Sequence, residues 1–96
     1  MNDQSYNMVK NTAAQRQASD IDKHIGSRLR AARLESRLTL EDLAARHGNI
    51  SYQQIRKYET SQNRITASNL YRMAIILNVP VSYFFAELDA DIYPAE

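Results

Sequence analysis

At 96 residues the chain can bury one modest hydrophobic core and hardly two, so a single domain is expected. The absence of cysteine excludes disulfides, thiolate metal sites and cysteine nucleophiles. No apolar run approaches the roughly 20 residues of a membrane span, and the N-terminus lacks the basic-then-apolar order of a signal peptide. A soluble, cytoplasmic protein is the expectation. The formal charge of +1 hides an uneven distribution. Asp20 to Arg64 carries nine bases (Lys23, Arg28, Arg30, Arg33, Arg37, Arg46, Arg56, Lys57, Arg64) against six acids, whereas Glu87 to Glu96 carries four acids and no base. Alone, such an excess describes a solvated surface, and it bears on function only when joined to a motif.

In chain order, Met1 to Ser19 is rich in Asn, Gln, Ser and Thr without a sustained period, which reads as a flexible arm with room for a short helix at Ala13 to Ala18. Ile21, Ile25, Leu29 and Ala32 then share one helical face, with Ser19 or Asp20 as N-cap, giving a helix to about Ser36. Thr39 opens a capping box with Asp42, and Leu43, Ala44 and His47 recur at helical spacing until Gly48, which suits a left-handed C-cap. Ser51 to Gln54 is a Ser-x-x-Gln capping box for a third helix that points Ile55 and Tyr58 inward. After a polar loop, Thr66 caps a fourth helix with Leu70, Met73, Ala74 and Leu77 on one stripe. Pro80 then introduces a short fifth helix, Val81 to about Ala86, followed by an acidic tail, residues 87–96. The fold class is all-α, with five helices over residues 20–86 and neither repeats nor strand-like alternation.

Two short helices joined by a turn at Gly48 have the form of a helix-turn-helix, whose second helix enters the DNA major groove. On that helix Tyr52, Gln53, Arg56 and Lys57 face outward. Gln pairs bidentately with adenine, Arg and Lys with guanine, and a Tyr ring can touch a thymine methyl or a phosphate. Ser51 sits at the helix N-terminus, where backbone N–H groups and the dipole favour a phosphate.

Over Ile25 to Phe85 the chain resembles the Xre-type helix-turn-helix family, the fold of phage lambda and 434 repressors and Cro. The segments that carry the likeness are IGSRLRAARLESRLTLEDLA, SYQQIRKYE and LYRMAIILNVPVSYFF, in that order. The resemblance implies a lambda-repressor-like domain that binds double-stranded DNA as a transcriptional regulator, most readily a repressor. It implies base contacts from Tyr52, Gln53 and Lys57, with Arg56 beside them, and phosphate contacts from Gln62, Asn63 and Arg64 in the following loop. Arg33 and Glu59 match a family ion pair between the first and third helices. Three departures stand out. The Leu43 to Ile55 interval is one residue longer than usual, the extra residue falling in the turn Gly48-Asn49-Ile50-Ser51. Leu40 replaces a common phosphate-binding Gln, and Ser61 a common Gly.

Gln54 is expected to be consumed by its capping box. His24 and His47 lie on different helices without further ligands, so no metal is expected, and His47 suits a helix C-terminal dipole. With two glycines in the whole chain there is no phosphate-cradling loop, and no nucleophile with its base, so neither an enzyme nor a cofactor is expected. Tyr83, Phe84 and Phe85 exceed what a small core needs, and Tyr83 and Phe85 are the candidates for a homodimer interface. Two other readings compete. One is an antitoxin-like regulator whose arm or tail binds a protein partner; the other is an interaction module that has lost DNA binding.

Overall fold

The computed structural model describes the backbone of residues 13–88 and the side chains of residues 20–88. Four α-helices follow in chain order: α1 (Ala13–Glu35), α2 (Leu40–His47), α3 (Tyr52–Glu59) and α4 (Ala67–Leu77). A 3-10 turn, Val81–Phe85, completes them, and there is no strand among the described residues. The all-α class holds, while the expected fifth α-helix is replaced by the 3-10 turn. α1 begins at Ala13, taking in the short helix expected there and running through Ser19 and Asp20 without a cap. The residues before Ala13 and after Leu88 lie outside the described part.

The polar signals act where the sequence placed them. Thr39 Oγ1 accepts from the Asp42 N–H at 3.0 Å and the Thr39 N–H donates to Asp42 Oδ2 at 3.0 Å, a closed capping box. Each partner satisfies a donor that an α-helix start leaves orphaned. Gly48 ends α2 at φ 89°, a backbone state that a Cβ would strain. Thr66 caps α4 through the Asn69 N–H, and Asn78 ends it in the left-handed region.

Leu29 and Ala32 of α1, Leu43 of α2, Ile55 and Tyr58 of α3, and Leu70, Met73, Ala74 and Leu77 of α4 form one core with Leu38 and Phe84. Phe84 is fully enclosed. The last segment is a 3-10 turn whose carbonyls also serve α1. His24 Nε2 donates to Ala86 O at 2.7 Å and Arg28 Nε to Tyr83 O at 2.9 Å, the latter oxygen also accepting the Ala86 N–H at 3.3 Å. The Tyr83 N–H bonds back to Pro80 O, the tighter i to i+3 pattern.

α3 is set against both α1 and α2. Its approach to α1 is closest at Gly26, where an added Cβ would lie 2.5 Å from Tyr58 O and 2.8 Å from Glu59 O. Only a residue without a side chain lets the two backbones meet there.

Candidate nucleic-acid interface

α2, the turn 48–51 and α3 form the helix-turn-helix, and three sets of interactions fix α3 within it. Arg33 and Glu59 meet in a two-pronged pair, Nε to Oε2 at 2.6 Å and Nη2 to Oε1 at 3.0 Å, with both side chains buried. Arg33 Nη1 donates to Leu38 O at 2.9 Å, so the guanidinium also holds the α1–α2 loop. Hydrogen bonding to the Glu59 carboxylate keeps Arg33 protonated beyond its ordinary range, the bond outweighing desolvation. Two parallel charge-assisted bonds specify an orientation as well as a contact.

The second set centres on His47, which is buried, 3% exposed. Its Nδ1 accepts the Asn49 N–H at 3.3 Å, so the ring proton sits on Nε2 and points at Asn69 Oδ1, 3.1 Å away. Asn69 Nδ2 in turn reaches Tyr58 Oη at 3.4 Å. The ring, in the last turn of α2, therefore makes two directed hydrogen bonds. It ties the extra turn residue to α4 and, through Asn69, to α3. The third set is the α3 start, where Ser51 Oγ accepts the Gln54 N–H at 3.1 Å. The reciprocal half of that box is absent: Gln54 Nε2 faces Asn63 Oδ1 at 3.5 Å, so Gln54 braces the following loop instead of closing its own cap.

On the outer side Tyr52, Gln53, Arg56 and Lys57 are all exposed, as is Ser51. A helix advances about 100° per residue. Measured from Tyr52, Gln53 and Lys57 fall about 100° and 140° around, opposite the buried Ile55, Tyr58 and Glu59. Tyr52 lies on the flank beside Glu59, and Arg56 stands between that flank and the centre formed by Gln53 and Lys57, about 60° from both Glu59 and Gln53.

The loop after α3 is tight. The N–H groups of Gln62 and Asn63 both donate to Lys57 O, at 2.8 and 3.3 Å, and Ser61 takes φ 56°, a state that glycine adopts more easily. Gln62 and Asn63 are exposed. Arg64 is exposed too, but its Nε pairs with Asp22 Oδ2 of α1 at 2.9 Å. Such a wet pair contributes little and leaves the guanidinium able to change partner. Sequence reasoning missed Asp22, as it missed Gly26 and Arg30. For Gly26 a signal was present, since a glycine inside a helical stripe costs about 1 kcal/mol against alanine and usually has a packing reason.

The aromatic end is divided. Tyr83 is half-buried: its hydroxyl donates to Arg28 O at 3.1 Å and the Arg28 guanidinium lies 3.9 Å from its ring centre. Phe84 is core, and Phe85 is 41% exposed. No cluster of three or more His, Asp or Glu able to hold a metal occurs among the described residues, and none of their helices is long and apolar enough to cross a membrane.

A short capped helix, a glycine-ended turn and a second helix with a polar outer face, all on one core, define a helix-turn-helix module. The helix-turn-helix family profile matches residues 29–84, and the chain belongs to that Xre-like family. The chain is 49% identical over 69 residues to an uncharacterized transcriptional regulator in the ATPase CF(0) region of Rhodospirillum rubrum, covering 72% of this chain and 63% of that protein. It is 42% identical over 84 residues to an uncharacterized HTH-type transcriptional regulator of Sinorhizobium medicae, covering 88% of this chain and 58% of the other. A regulator of Rhizobium meliloti matches equally well. The chain therefore spans about three fifths of the length of these relatives.

Proposed function

We propose that this protein binds duplex DNA sequence-specifically and represses transcription, with α3 in the major groove. The observation that carries the reading is the outer face of α3, where Gln53 and Lys57 stand exposed opposite the buried side. Gln53 and Lys57 read bases, Tyr52 lies beside them, and Ser51, Gln62, Asn63 and Arg64 hold the backbone. Residues 20–86 form the DNA-binding part. Arg64 reaches its phosphate by leaving Asp22, an exchange of one wet partner for another.

One such domain covers few base pairs, so a homodimer on a pseudo-palindromic site completes the reading, with half-sites about 34 Å apart. Phe85 and Val81 offer exposed apolar side chains for it, and Tyr83, half-buried with its hydroxyl on Arg28 O, is the other candidate in the same segment. A protein-interaction module is the second reading, favoured by Tyr71 and Ile75, which leave the outer side of α4 largely apolar. Titration with random duplex DNA at low and moderate salt separates the two. DNA binding predicts an affinity that falls steeply with salt, and Gln53→Ala or Lys57→Ala should then cost about 1 to 3 kcal/mol on a selected site and relax base choice there. No binding at low salt overturns the proposal. Phe85→Glu should weaken binding to a full palindrome far more than to a half-site.

A further inference from the structure

Arg30, Arg33, Leu40, Arg56, Glu59 and Thr60 line an open cleft of about 330 Å³ where the C-terminal half of α1 and the start of α2 meet the flank of α3. Its charges are not equivalent. Arg33 is buried and spent on Glu59 and on Leu38 O. Arg30 keeps only a loose approach to the same carboxylate, 4.0 Å from Nε to Oε1, with its side chain 61% exposed. Among the described residues no ion pair engages the Arg56 guanidinium. Three guanidinium groups around one carboxylate that Arg33 already satisfies leave an excess of two positive charges, both on exposed arms. Glu41, whose charge is felt at Arg33, does not line the cleft.

Resting on the DNA-binding reading above, we propose that this cleft is a phosphate site in which Arg30 and Arg56 grip one backbone phosphate of the duplex. The chemistry that fits is a tetrahedral, singly charged oxyanion presented from solvent. A guanidinium offers parallel N–H donors matched to two phosphate oxygens. The site also accounts for Leu40, which gives the cleft an apolar wall and cannot bind the anion itself, so the donors come from α1 and α3 instead. Arg56, expected as a base reader, becomes a backbone anchor. The geometric reason is that Arg56 lines the same cleft as Arg30 and Thr60, while around the helix it stands about 60° from both Gln53 and Glu59.

The test titrates the full chain, and its Arg30→Gln and Arg56→Gln variants, with a random duplex and a selected tight site over a series of salt concentrations, after thermal melts of each variant. Each variant should weaken both duplexes by the same factor and flatten the plot of log affinity against log salt, the Arg30→Gln, Arg56→Gln double variant by about 0.9 and each single variant by part of that. Arg30→Lys should keep most of the slope. An Arg30→Gln variant with wild-type slope overturns the site, as does an Arg56→Gln variant that changes which sequence is preferred. Inorganic phosphate, titrated without DNA and followed through the arginine Nε–H resonances, distinguishes the source. Saturation of Arg30 and Arg56 by the free anion, with the DNA slopes of the variants unchanged, would assign the cleft to a small anion and refute the backbone contact. Wild-type protein that binds neither duplex would end the DNA reading itself.

Discussion

Two sides of α1 hold their partners by different means. At the side toward α3, backbones touch across Gly26 and the buried, two-pronged Arg33–Glu59 ion pair locks α3 against α1. At the other, the 3-10 turn hangs from long polar side chains, His24 and Arg28, with one aromatic plug, Phe84, driven into the core. Close backbone approach and buried charge tolerate little displacement, since any shift costs contacts or uncovers a charge. Side-chain bonds to carbonyls tolerate more. α3, the helix proposed to read DNA, is thus mounted on the stiffer of the two contacts, and the segment proposed to meet a second copy on the more compliant one.

Breaking each contact sharpens that difference. Arg33→Ala should have the largest effect: it leaves Glu59 buried and unpaired, a loss of about 3 to 5 kcal/mol. For a domain of this size each kcal/mol lowers Tm by about 4 to 8 °C. The Arg33→Met, Glu59→Leu double variant should recover most of the melt, because the penalty comes from the orphaned charge; a double variant as unstable as the single one would show that the pair itself supplies the stability. Phe84→Ala should cost about 3 kcal/mol, at the low end for a buried aromatic because the compliant turn can settle into the space. Hydrogen exchange should show the loss concentrated near the turn, and equal loosening of α3 would refute the division drawn here.

Gly26→Ala comes next, at about 1 to 3 kcal/mol, because its Cβ meets backbone oxygens that cannot swing aside. The same substitution should weaken specific DNA more than its melt suggests, since it pushes α3 away from α1. The smallest effect concerns Asp42. Bonds from the Thr39 N–H and hydroxyl hold its carboxyl below the ordinary carboxylate range. A lowered folded value means that the stabilisation is present above the unfolded pKa and disappears as pH falls through the folded one. Tm should therefore drop slightly below about pH 4, and Asp42→Asn, which keeps the acceptor and cannot titrate, should lose that part of the acid sensitivity.

Local chemistry was legible in the sequence wherever a few adjacent residues decide the outcome. The caps at Thr39, Ser51 and Thr66, the stop at Gly48 and the buried stripe from Leu70 to Leu77 all follow from side-chain oxygens three residues before an N–H, or from helical spacing. Base-reader candidates were legible for the same reason, as outward positions on a short helix. The Arg33–Glu59 pair came from family likeness and not from spacing. What required the tertiary structure were partnerships between distant segments: Asp22 with Arg64, His47 with Asn69 and Tyr58, and His24 and Arg28 with the carbonyls of the last turn. Those carbonyls tie the 3-10 turn to α1, and the Tyr83 carbonyl accepts the Ala86 N–H within the turn as well. That Arg56 shares a cleft with Arg30, Arg33 and Glu59 was likewise decided by what packs beside α3. A sequence shows which residues face outward, but the neighbours across the cleft determine what each of them can hold.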